Sequence, residues 1–373
     1  MLRFALQFIK YDRPKSIGVI LGIVISTFLV GQQTGIFIFL TSAMSSLVDN
    51  TDADLWVVDN RTTNCNALGN IDVRIGRQIE SIPGVIKAYP LVVSGGTAKF
   101  QEGKSVPVML IGTQPPHFKG GPFRIDQGQL VDLLTDGAVS ADLFDQKELN
   151  NASLGTYFEI NGKRVHIALQ TKGARGFGAM YLFTTVSRAR YLGNLSPNQV
   201  SGFLVDVYSE NDLLLIRDRI NAHIPGIRAW TSHDFSNATV STILSTSGIA
   251  FSVGTLIIFA MISGVFIIGL TMYSAAVDRL KDYGTLKAIG ANNSYIRNLI
   301  LSQALFFGMT GYGMGIFLLE GFRKGISNSG ILFDYSLPVK IGFFVMTMLI
   351  SLGGSIFAMR RIGKLEPAMV FRA

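Results

Sequence analysis

Few side chains in this 373-residue chain stand in a pattern that could make or break a bond. The four histidines, His117, His166, His223 and His233, show no metal-ligand spacing, and neither His-Glu-x-x-His nor Gly-x-Ser-x-Gly occurs. The nearest approach to a phosphate loop is Gly103-Lys104-Ser105. A Walker A motif would also need glycine at position 98, where Ala98 stands, and a helix afterwards, where Val106 to Ile111 reads as strand. No catalytic residue, metal site or cofactor site is therefore expected, and ATP hydrolysis is not expected in this chain. Cys65 has no second cysteine to pair with and no metal-binding neighbour, so it is a structural residue or a surface thiol. The remaining polar groups of interest fall inside apolar sequence: Gln32, Gln33 and Thr34 midway along one run, and Glu320 at the end of another. Polar groups at membrane depth are functional candidates by default. Uncharged Gln32 and Gln33 can instead be satisfied by helix-to-helix hydrogen bonds, and that packing role is the expectation.

The elements that position these residues are membrane helices. Four stretches lack formal charge over spanning length: Ser16 to Val48, Phe235 to Val277, Asn298 to Leu319 and Ile341 to Met359. A spanning helix needs roughly 20 mostly apolar residues. The first run is too long for a cleaved signal peptide, whose apolar core is about 7 to 15 residues, so an uncleaved anchor is expected. Small residues recur at four-residue spacing, Gly18 with Gly22, Gly31 with Gly35 and Gly311 with Gly315, which lets helices approach closely.

Charge sets the orientation, because Lys and Arg near helix ends are retained on the cytoplasmic side. The N-terminal segment (Arg3, Lys10, Arg13, Lys15 against Asp12), the loop after the second stretch (Arg279, Lys281, Lys287, Arg297 against Asp278 and Asp282) and the tail (Arg360, Arg361, Lys364, Arg372 against Glu366) together account for the whole net charge of +8. Both termini are thus expected in the cytoplasm. The intervening large segment is nearly neutral, so no basic stripe points to nucleic acid.

The expected fold class is an α-helical membrane protein with four transmembrane helices (1+3) plus a large mixed α/β extracytoplasmic domain between helices 1 and 2. The expected division is 1–48 for the N-terminus and first helix, 49–235 for the extracytoplasmic domain and 236–373 for the remaining helices. Within 49–235 the core is placed at about 49–112 and 200–235, with an inserted lobe at about 113–199. Loop 278–297 and tail 360–373 are cytoplasmic. Strands are predicted at Leu55 to Val58, Val106 to Ile111 and Gly202 to Tyr208. Asn161-Gly162 between alternating runs predicts a hairpin over Thr156 to Thr171, since both residues tolerate positive φ. A helix is predicted from Asn211 to about His223. Ile82-Pro83-Gly84-Val85 recurs as Ile224-Pro225-Gly226-Ile227, each after a predicted helix, which suggests two βαβ-like halves; the alternative is chance recurrence of a common helix ending.

The segment Asp278-Arg279-Leu280-Lys281-Asp282-Tyr283-Gly284-Thr285-Leu286-Lys287-Ala288-Ile289-Gly290-Ala291 resembles the loop after the second helix of MacB/FtsX-like ABC transporter permeases (type VII). Asp282 stands where that family usually has Glu, which shortens the carboxylate's reach by about one methylene. The ending Leu365-Glu366-Pro367-Ala368, with Arg372 following, is similar to the family's C-terminal motif. So are the phrases Ile82-Pro83-Gly84-Val85, Ile111-Gly112-Thr113 and Gly137-Ala138-Val139-Ser140. The resemblance spans essentially the full chain, and its general character is nearest the DevC-like branch.

The resemblance implies a non-catalytic permease subunit of a bacterial inner membrane, paired with a second permease chain, chiefly as a homodimer. It implies two copies of a cytoplasmic ABC ATPase that bind the ATP and Mg, with or without a periplasmic adaptor and outer-membrane channel. Membrane lipid surrounds it, and lipid, lipoprotein, peptide, haem and drug all remain open as substrates. The ATPase-coupling residues it implies are Asp278, Arg279, Lys281, Asp282, Gly284, Leu286, Lys287, Ala288 and Gly290, with Leu365, Pro367, Ala368 and Arg372 as a cytoplasmic C-terminal motif. In physical terms the loop reads as an amphipathic helix with Leu280, Leu286, Ile289 and Ile296 on one side. An FtsX-like signalling or scaffold protein is the alternative, and a membrane enzyme is a distant third.

Overall fold

The structure, a computed structural model, describes residues 13–278 and 280–363. Arg3, Lys10, Asp12, Arg279 and the motif Leu365, Pro367, Ala368 and Arg372 therefore lie outside the described residues. In chain order the elements are α1 (Arg13–Met44), β1 (Leu55–Asp59), α2 (Ile75–Glu80), β2 (Val85–Lys99), β3 (Ser105–Thr113), β4 (Ile125–Gln127), β5 (Ala138–Asp142), β6 (Tyr157–Ile160), β7 (Lys163–Thr171), β8 (Tyr181–Thr185), α3 (Val186–Leu192), β9 (Gly202–Val207), α4 (Leu213–His223), β10 (Ile227–Thr231), α5 (Ser232–Ser247), α6 (Ile249–Asp278), α7 (Leu280–Ala288), α8 (Asn293–Ser327) and α9 (Leu337–Gly363). Leu40–Gly248 forms one compact unit, and the helices before and after it form another.

Four helices are long and apolar enough to cross a membrane: Ser16–Met44, Ile249–Asp278, Asn293–Ser327 and Leu337–Arg360. The predicted stretch from Phe235 to Val277 differs from this. It is two helices, α5 and α6, parted by Gly248 in the left-handed conformation at φ 66°. Absence of charge makes the two read as one span, but Ser236, Asn237, Thr239, Ser241, Thr242, Ser245 and Thr246 make α5 polar. Its Phe235, Thr239 and Ile243 are buried within the α/β unit.

In that unit the strand order β10-β1-β9-β2 has every neighbour antiparallel. Strands β1 and β2 therefore run parallel with β9 between them, and β9 and β10 run parallel with β1 between them. With α2 and α4 as crossovers, these are two interleaved split βαβ units, the ferredoxin-like arrangement. The repeated Ile-Pro-Gly turns close both helices, with Gly84 at φ 103° and Gly226 at φ 82°. Strand β1 is buried on both faces, so it reads as a continuous apolar run. Leu55 and Val57 pack with Ile79, Ile216 and Ile220 on the helical side, and Trp56 and Val58 pack with Leu91, Leu204 and Phe235 on the other.

Strand β2 outruns this sheet. From Val92 to Lys99 it pairs with β3, which pairs in parallel with β8. Strand β3, the predicted Val106 to Ile111, thus belongs to the second lobe and not to the core expected at about 49–112. The predicted hairpin is β6–β7, its turn residues Asn161 at φ 50° and Gly162 at φ 76°. Strand β5 runs parallel to β7, and side chains join it to β8: Ser140 Oγ accepts from the Phe183 N–H at 2.8 Å and Thr184 Oγ1 donates to the Ala138 carbonyl at 2.8 Å. Leu110, Val139, Phe158, Ile160, Val165, Ile167 and Leu182 fill the space so enclosed.

Candidate coupling site

The residues after α6 form a short helix and a hard stop. In α7 Thr285 Oγ1 bonds back to the Lys281 carbonyl at 2.9 Å. The helix ends where the Gly290 N–H bonds the Lys287 carbonyl at 3.0 Å and the Ala291 N–H bonds the Leu286 carbonyl at 2.9 Å. That pair of bonds is a Schellman motif, which requires a left-handed residue after the last helical turn. Gly290 supplies it at φ 102°, and a Cβ there would meet nothing within 4 Å. Gly290 is thus glycine for its backbone angle and not for close approach. Two residues later Asn292 caps α8, its Oδ1 accepting from the Tyr295 N–H at 2.8 Å. The string Leu286-Lys287-Ala288-Ile289-Gly290-Ala291-Asn292 therefore encodes stop, turn and restart.

The predicted amphipathic face is partly redrawn. Of the residues read as one side of an amphipathic helix, Leu286 and Ile296 pack against the helical core, together with Tyr283, which is 3 % exposed and which periodicity does not single out. Ile289 is 78 % exposed, because it is the residue from which the chain turns away at Gly290. Gly284 is buried, Lys287 is half-buried, and Lys281, Asp282, Asp278 and Ala288 are exposed. Tyr283 thus anchors the element inward, and a polar rim with one large apolar residue faces outward.

The other predicted positions divide clearly. Gln32 and Gln33 are half-buried on α1, and among the described residues neither side chain makes the helix-to-helix hydrogen bond expected of it. Thr34 bonds its own helix at the Val30 carbonyl, 2.8 Å. Polar bonds between helices come instead from Thr27 with Thr347 at 3.1 Å and from Ser351 to the Ala304 carbonyl at 2.7 Å. Glu320 joins an ion network, 2.8 Å from Arg323 and 3.1 Å from Lys340, and Arg323 reaches Asp334 at 2.7 Å. The glycine pairs serve packing inside the chain: Gly22 faces Ile267, Gly31 faces Leu319, Gly311 faces Ile23 and Gly315 faces Thr27. Cys65 is buried, and that burial pushes its thiol up to about 12, so it is structural. Among the described residues no cluster of His, Cys, Asp and Glu could hold a metal ion.

One helix long and apolar enough to cross a membrane, a large α/β unit and three further such helices give the layout of a multi-pass membrane protein. Residues 254–367, which contain α7 and the Gly290 turn, match the FtsX-like permease C-terminal family. An uncharacterized ABC transporter permease of Mycobacterium tuberculosis, found in strains CDC 1551 and H37Rv, is 23% identical over 333 residues, which cover 87% of this chain and 86% of that protein. Similar solved structures include the periplasmic region of MacB from Actinobacillus actinomycetemcomitans (12% identity, TM-score 0.39, 54% of this chain and 98% of that one). Another is the extracellular domain of the noncanonic ABC-type transporter YknZ from Gram-positive bacteria (15% identity, TM-score 0.35, 48% and 99%). Residues 254–367 are therefore an FtsX-like permease C-terminal domain, and over most of its length the chain is similar to an ABC transporter permease.

Proposed function

We propose that this permease couples ATP binding and hydrolysis in a separate cytoplasmic ATPase to movement of its α/β unit, driving export or membrane extraction of a substrate. The observation that carries the reading is the α7 turn. A rigid helix–turn–helix anchored by Tyr283 and presenting Ile289, Lys281 and Asp282 outward is suited to seat in a cleft of another protein. Two ATPase subunits would hold ATP and Mg, two permease chains would pair, and the N-terminal segment, this loop and the C-terminal tail, which together carry the net charge of +8, would face the cytoplasm. A periplasmic adaptor and outer-membrane channel would extend the path, and lipid, lipoprotein, peptide or drug would be the cargo.

Co-purification in detergent with the candidate ATPase tests the proposal. Wild type should retain the ATPase and Ile289→Asp should lose it, with thermal stability unchanged because that side chain packs on nothing. Lys287→Glu combined with Gly290→Trp should lose it too, but there the strained turn contributes. Failure of wild type to retain any ATPase would overturn the reading.

A further inference from the structure

A groove runs along α6 and α9 that no other described segment fills. Phe266, Gly269, Leu270 and Tyr273 of α6 and Phe357 of α9 line a volume of about 210 Å³ with apolar surface throughout. Glycine makes the groove: a Cβ on Gly269 would lie 2.7 Å from the Phe357 ring. Phe266 and Phe357 are tilted against each other with centroids 6.2 Å apart.

The two helices run in the same direction here. A Cβ on Gly264 would meet Ile350, one on Gly269 would meet Phe357, and one on Gly354 would meet Ile268. That register sets Arg360 level with Tyr273. Arg360 is also three residues beyond Phe357, hence on the same helical face. It is exposed, and no ion-pair partner for it exists among the described residues. From Phe266 to Tyr273 the groove extends about 10 Å along the helix axis. Both helices have the length and apolarity to cross a membrane, so hydrocarbon adjoins the groove along its length. At its lower end a Tyr and an Arg stand together, the pair that favours the headgroup layer.

We propose that this groove binds one acyl chain of an anionic phospholipid, with Arg360 holding the headgroup phosphate. Apolar walls select a chain over a polar ligand, and a cation at the groove's mouth selects a negative headgroup over a zwitterionic one. One cation near a membrane surface supports a preference of about fivefold. The inference does not rest on the ATPase reading.

The test uses the full chain in detergent, stripped of lipid and titrated with phosphatidylglycerol or phosphatidylcholine, with bound lipid counted by native mass spectrometry. Wild type should take up phosphatidylglycerol about fivefold more tightly than phosphatidylcholine, and inorganic phosphate should not compete. Arg360→Gln should bind the two lipids equally, and Leu270→Trp, which fills the groove from an exposed position, should lose both. Absence of a headgroup preference in wild type, or its survival in Arg360→Gln, would overturn the assignment. So would efficient cross-linking between copies carrying Leu270→Cys in native membranes, since a second chain would then occupy the groove.

Discussion

The hydroxyl of Tyr335 donates a 2.9 Å hydrogen bond to the carbonyl of Gly31. One turn along α1, a Cβ on Gly35 would lie 2.6 Å from both the Phe333 ring and the Tyr335 hydroxyl, and one on Gly31 would enter Leu319. The Gly31 and Gly35 pair is thus a slot into which the segment between α8 and α9 inserts its aromatic side chains. In lipid, where no hydrophobic force draws helices together, such close fit and the occasional polar bond provide the attraction.

Gly35→Val should therefore destabilise the helical unit by about 1–3 kcal/mol through overpacking. Tyr335→Phe, which removes one hydrogen bond and little volume, should cost about 1 kcal/mol. Thermal unfolding in detergent reads both. A Gly35→Val variant as stable as wild type would mean that the slot is not closed.

Gly311 offers a reciprocal test. Its missing Cβ is replaced by Ile23, whose own Cβ would be 2.8 Å away. Gly311→Ala should lower the melting temperature, Ile23→Ala should lower it by leaving a cavity, and the double variant should recover part of the loss. Residues in contact couple by about 0.5–3 kcal/mol, so a double-mutant cycle with no coupling would count against this packing.

How far these contacts are legible in the sequence depends on the range of the force that fixes them. Asn161-Gly162 and the two Ile-Pro-Gly turns are local, since positive φ is demanded by the turn itself, and the hairpin and helix endings fall where the sequence places them. The four spanning helices follow from composition. Gly248 is not legible, because a single glycine inside an uncharged run carries no breaker signal of its own, and the polarity of α5 is masked by its lack of charge. The grouping of β3 is also hidden: one long strand, β2, belongs to two sheets, and nothing in its alternation marks where its partner changes from β9 to β3. At the candidate site, Gly290 is legible through its turn chemistry. Tyr283 against Ile289 is not, because which of two apolar residues faces inward is set by the helices they meet.

Cys65 gives a labelling prediction. Its N–H bonds Thr239 Oγ1 at 3.0 Å and its side chain is fully enclosed, with burial lifting the thiol to about 12. The thiolate is the reactive form, so maleimide should leave the folded protein unmodified at about pH 7.5 and label it stoichiometrically in denaturant. Rapid labelling of the native chain would refute the enclosure.

The pH dependence of the α/β unit should be set largely by Asp145. Its carboxylate is buried beside Arg175, whose Nε lies 2.6 Å from Oδ1, with Asp142 and Glu148 also facing it. Burial raises its pKa from 3.8 to about 7 against the opposing pull of Arg175, with the two neighbouring carboxylates adding to the rise. The folded form therefore holds the proton more tightly than the unfolded chain. The resulting stability is fully present below pH 3.8 and is lost as pH climbs toward 7, after which the curve flattens. A tenfold difference in proton affinity between folded and unfolded chain corresponds to about 1.4 kcal/mol, so the whole excursion is on the order of 4 kcal/mol. Wild-type melting temperature should fall between about pH 5 and 8. Asp145→Asn should remove most of that slope and match or exceed wild type at about pH 8, where the native carboxylate is charged in a dry site. Arg175→Ala should carry the same slope past pH 7, because the group that pulls the pKa down most is gone. Parallel melting curves for wild type and Asp145→Asn across this range would show that Asp145 titrates as an ordinary carboxylate.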